Sequence, residues 1–80
     1  MSDKEYQDIW QELTVAEMSG EEAVEDEFEL IFDDMAGDEN RLLGLLRLLE
    51  EKAKELATQF QYILSELYDA LFRRVQTAVC

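Results

Sequence analysis

The chain has no proline and no histidine, one cysteine and three glycines in 80 residues, and seven basic residues against twenty acidic ones. Each shortage removes a class of structure or chemistry. Without proline, no helix has to break for want of a backbone N–H. Cys80 alone excludes an internal disulfide or a cysteine-built metal cluster. With no histidine as well, the usual zinc sites and nucleophile–base dyads are gone. Carboxylates are then the only catalytic or ligating groups on offer, and the segment around Asp33, Asp34, Asp38 and Glu39 lacks the alternating ligands of a calcium loop. No apolar run approaches the roughly 20 residues that cross a bilayer, and Met1–Glu5 lacks the basic and apolar parts of a secretion signal. A cytoplasmic protein with no catalytic residues, no cofactor and no metal is expected.

The scarcity of basic residues is uneven. Residues 1–40 hold fifteen of the twenty acids and one base, Lys4, whereas residues 41–80 hold five acids and six bases. The halves therefore carry −14 and +1. Direct binding to nucleic acid or to an anionic membrane needs a basic face and is excluded by this balance. A basic protein partner suits it.

What the chain does have is helical periodicity. Leu42, Leu45, Leu49, Ala53, Leu56, Phe60, Ile63, Leu67, Leu71, Val75 and Ala78 follow steps of three and four that average about 3.6, the spacing of a straight amphipathic helix. One long helix over about 39–79 is predicted. Before it, Ser2 with Glu5 has capping-box spacing, and Tyr6, Ile9, Trp10 and Leu13 share a face, giving helix 1 over about 3–18. Ser19 with Glu22 repeats that spacing. Val24, Phe28, Ile31, Phe32 and Met35 then line helix 2 over about 20–36, with Gly37 and Asp38 as the C- and N-terminal caps of the next connection. The expected fold is all-α: a single domain, 1–80, of two short acidic helices packed antiparallel against one long C-terminal helix.

Size then argues for company. A forty-residue helix is about 60 Å long, while an 80-residue globule is about 30 Å across. The long helix must either bend, near Thr58 and Gln59, or be covered by another chain. Leu42, Leu43, Leu45, Leu46, Leu48 and Leu49 cover more than half of its circumference, a surplus that needs a partner. A homodimer, or a client helix, is expected on Leu42, Leu45, Leu46, Leu48, Leu49, Leu56, Phe60, Ile63, Leu67 and Leu71.

The acidic face of helix 2 is the candidate partner-binding site: Glu21, Glu22, Glu25, Asp26, Glu29, Asp33 and Asp34. Asp33 and Asp34 sit at the negative end of the helix dipole, where they cost a few tenths of a kcal/mol each; such local conflicts mark candidates for function. In size and charge the chain resembles small acidic proteins of phage and plasmid origin, among them DNA mimics, anti-CRISPR proteins and nuclease immunity proteins. That resemblance implies a stoichiometric inhibitor or regulator covering a basic nucleic-acid-binding surface. An assembly adaptor or secretion-type chaperone, holding a client helix on the long helix, is the alternative.

One further stretch, Ser65-Glu66-Leu67-Tyr68-Asp69-Ala70-Leu71-Phe72, resembles the second acidic motif of the all-α, MazG-like nucleotide pyrophosphohydrolases. The resemblance implies magnesium on Glu66 and Asp69, with Glu51 and Glu55 standing for the first motif.

Overall fold

The computed structural model describes the backbone of residues 2–79 and the side chains of residues 4–79. Four helices follow one another: α1 (Ser2–Glu17), α2 (Glu21–Met35), α3 (Glu39–Thr58) and α4 (Tyr62–Val79). Among the described residues there is no strand. The Ser2 side of the first capping box lies outside the described side chains.

The single helix expected over 39–79 is two helices. α3 closes with the Gln61 N–H donating to the Leu56 carbonyl at 2.8 Å and the Phe60 N–H to Ala57 at 3.1 Å, the paired bonds of a Schellman cap. This puts Phe60 at φ 62°, the left-handed region that costs a non-glycine residue about 1 kcal/mol or more. The return is larger. Folding back brings Tyr68, Leu71 and Val75 into one core with Leu45, Leu49, Ala53 and Leu56, and each large side chain so buried contributes about 1.5–3 kcal/mol. The Ser65 hydroxyl, buried in the hairpin, donates to the Ala53 carbonyl at 2.8 Å.

The other connections are equally short. A type II turn through Ala36 and Gly37 is closed by the Asp38 N–H on the Met35 carbonyl at 2.9 Å, and Asp38 caps α3 by accepting from the Arg41 N–H at 3.3 Å. Ser19 does not cap α2. Gly20 holds that position with φ 106° and ψ 179° and no side-chain cap bond, a backbone conformation open essentially to glycine alone.

α1 and α2 form one antiparallel hairpin and α3 and α4 the other, and the hairpins close over a shared core in which Leu13, Val24, Phe28, Leu45, Leu49, Tyr68 and Val75 are fully buried. The molecule measures 33 × 23 × 21 Å, so the 60 Å rod that called for a second chain is gone. Most of the leucine surplus goes with it, Leu43 alone of the six staying exposed. Leu42, Leu45, Leu48, Leu49, Leu56 and Leu71 are buried within the chain, and Leu46 and Leu67 are half-buried against its core; Phe60 and Ile63 alone of the ten interface residues face solvent. No helix of the described residues is long and apolar enough to cross a membrane.

Candidate protein-binding surface

All seven acids proposed on α2, Glu21, Glu22, Glu25, Asp26, Glu29, Asp33 and Asp34, are exposed. They do not form one uniform face. The apolar stripe Val24, Phe28, Ile31 and Met35 points inward, so Glu22, Asp26 and Asp33 fall on the outer side, whereas Asp34 and the half-buried Glu27 turn toward α1. There they meet the acids of α1. Glu5, Asp8 and Glu12 on α1 and Glu27 and Asp34 on α2 wall one groove of about 390 Å³, whose floor includes Ile9, Ile31 and Met35. Exposed Leu30 stands on its edge.

Arg41 closes one end of this groove. Its guanidinium donates to the Glu5 carboxylate and to Asp34 Oδ2 at 2.8 Å, and these two bonds, Glu5 first, hold its pKa above the ordinary arginine value. The same turn of α3 receives α1: the Tyr6 hydroxyl donates to the Arg41 carbonyl at 3.1 Å, and burial with the nearby Glu5 charge raises the Tyr6 pKa. The Tyr6 ring lies directly over Gly44. A Cβ at that position would stand 2.1 Å from the Tyr6 oxygen, so only glycine lets the ring sit there.

Two more cations of the second half reach the acidic half. Arg74 of α4 pairs with Glu29 at 2.7 Å and lies 5.0 Å from the Phe28 ring centre, with Phe32 stacked on Phe28 at 5.4 Å. Lys52 of α3 is buried, at 2% exposure. Its Nζ donates to Glu17 Oε2 and Thr14 Oγ1, both at 2.8 Å, and lies 4.5 Å from the centre of the Trp10 ring. The Tyr68 hydroxyl donates to the same Glu17 oxygen at 2.7 Å. Burial first, then that carboxylate, pushes the Tyr68 pKa well above the ordinary phenol value. Thus Glu29 and Asp34 of the seven proposed acids are spent partly on internal pairs, while Glu21, Glu22, Glu25, Asp26 and Asp33 keep their charge toward solvent.

Lys52 was missed although it left a signal: it sits three residues after Leu49 and four before Leu56, on the apolar stripe itself. Glu5, Asp8, Glu12 and Glu27 left none, because their convergence depends on how α1 docks on α2. The carboxylates of the pyrophosphohydrolase-like motifs, Glu51, Glu55, Glu66 and Asp69, are all exposed. Among the described residues no three acidic or cysteine groups gather as metal ligands would.

The fold is thus an all-α helical bundle with its acids gathered on one hairpin. Comparison with protein-family models, with curated proteins and with solved structures returns no match to this chain.

Proposed function

We propose that the protein is an acidic protein-binding module, a stoichiometric inhibitor or regulator that covers a basic nucleic-acid-binding surface of its target. The observation that carries this reading is the pairing of α1 with α2. It gathers nearly all of the −14 charge of residues 1–40 on one hairpin and sets carboxylates from both helices along a single groove. Rows of carboxylates on a rigid scaffold present a basic surface with charge of the sign it meets on a phosphate backbone. Most of the leucines proposed for a client helix are buried in the core, which favours this reading over an assembly adaptor. Association with a basic target is steered by charge and weakens as salt rises.

The test begins with capture of partners from host lysate at low and high salt, followed by binding measurements on the partner identified. Glu12→Gln and Glu27→Gln in the groove, with Asp26→Asn on the outer side, together touch none of the internal ion pairs. They should weaken binding at least about tenfold, equivalent to 1.4 kcal/mol, with helix content unchanged, and nucleic acid should compete with the protein for its target. A partner held equally well by the triple variant and at high salt overturns the reading.

A further inference from the structure

Both helical hairpins turn at the same end of the molecule. Met18 of the first connection and Gln59 and Gln61 of the second line one shallow depression together with Leu64. In a chain that is one-third charged, residues 56–65 form the longest stretch without a charge. That end also carries the most exposed large apolar side chains of the described residues apart from Val15 and Leu30: Met18 at 83%, Phe60 at 77%, Ile63 at 68% and Tyr62 at 57%.

Phe60 is the informative one. It holds the left-handed position of the α3 cap, where glycine is the favoured residue. Its ring makes an edge contact with Tyr62, 6.2 Å between centres, and otherwise stands in water. In the folded monomer the side chain therefore costs backbone energy and gains almost no burial. A residue that works against its own fold in this way points to a role outside it.

We propose that this uncharged apolar pole is where two copies of the chain meet, end to end. Charge selects the occupant. A basic partner would be drawn first to the α1–α2 face, where most of the acids stand, while two copies of −13 can approach each other with least repulsion through ends whose centre is uncharged. The area fits a weak dimer. Side chains of about 150–250 Å² exposed to these extents amount to roughly 500 Å² per copy, at the low end for a specific interface. The acids at the rim, Glu21, Glu22, Glu55 and Glu66, would face their equivalents across the interface. Salt therefore strengthens this contact by screening, the opposite of its effect on a basic target, so the two surfaces are separable by the sign of the salt dependence.

Sedimentation velocity on the full chain, from micromolar to millimolar concentration and at low and high salt, tests the proposal. The parent should show a concentration-dependent monomer–dimer equilibrium that tightens with salt. Phe60→Gly should melt higher than the parent at a concentration where both are monomeric, yet weaken dimerisation at least about tenfold. Ile63→Gln, on the surface of α4, should weaken dimerisation without that gain in stability. A parent that stays monomeric throughout, or dimers of Phe60→Gly and Ile63→Gln as tight as the parent's, would overturn the proposal. So would a dimer that weakens with salt, which would place the contact on the charged faces.

Discussion

Replacing Lys52 by methionine is the most severe test of how the two hairpins are joined. The substitution gives an unbranched side chain one heavy atom shorter that keeps contact with Trp10, and a thioether on an aromatic ring is worth about 0.3–1.5 kcal/mol and offsets much of the lost cation–π attraction. What it cannot replace is the cation beside Glu17, whose side chain is only 13% exposed. Removing one partner from a buried pair costs about 3–5 kcal/mol. The Tyr68 hydroxyl still donates to that carboxylate, so the lower end, about 3 kcal/mol, is expected. A chain of 80 residues has a total stability of roughly 4–12 kcal/mol at 0.05–0.15 kcal/mol per residue. The loss would lower Tm by about 12–24 °C. Urea denaturation followed by circular dichroism measures it, with the slope m unchanged if the native state keeps its compactness. Adding Glu17→Gln removes the stranded charge while keeping an acceptor for Tyr68, and the double variant should recover at least about half of the loss. A single variant within about 0.5 kcal/mol of the parent, or a double variant no better than the single, would refute this account of the buried pair.

Two other outcomes follow from contacts at the same hairpin interface. Because the Tyr68 pKa is raised in the fold while an unfolded tyrosine ionises near 10, the unfolded chain releases a proton above about pH 10 that the folded chain keeps. The stabilisation is complete below that pH and is lost as pH rises, by up to about 1.4 kcal/mol per unit; urea midpoints of parent and Tyr68→Phe should therefore converge with rising alkalinity, and parallel curves would count against it. Gly44→Ala should destabilise the parent by about 1 kcal/mol, because the displaced Tyr6 loses its bond to the Arg41 carbonyl and its packing, which outweighs a gain in helix propensity. In a Tyr6→Ala background the same change should stabilise by about 1 kcal/mol, and equal effects in the two backgrounds would show that the ring does not press on that glycine.

The all-helical class and the first two connections could be read from the sequence because apolar spacing, Gly20, Gly37 and the Asp38 cap mark them locally. The third was legible only as one of two options, a bend near Thr58 and Gln59, where α3 does end. Phe60 fills a position that glycine would have announced, and Leu56, Phe60, Ile63 and Leu67 continue the helical steps in phase across the break, so periodicity conceals it. The buried set of α4 proves to be Ser65, Tyr68, Leu71 and Val75, a face turned away from Phe60 and Ile63, and only the weak helix formers Thr58 and Gln59 hinted at a change of direction. At the proposed binding surface, charge alone singled out the acids of α2. The groove with α1 depends on long-range pairing that no local pattern encodes, and the same is true of the ion pairs that Arg41 and Arg74 make with the acidic hairpin.

The leucines of α3 are nearly interchangeable, and a helix that carries Leu42, Leu43, Leu45, Leu46, Leu48 and Leu49 could turn about its axis and still bury a comparable apolar area. The ammonium of Lys52 does not share that freedom. A rotation by one residue swings it about 100° around the axis, and a slide by one turn carries it about 5.4 Å along, in either case off Glu17, Thr14 and the Trp10 face at once. Alternative registers that the hydrophobic effect would tolerate each strand a charge in the interior. Lys52 thus acts as a key cut for one setting of an otherwise permissive seam, and the shape of the acidic groove on the far side of the bundle is inherited from that setting.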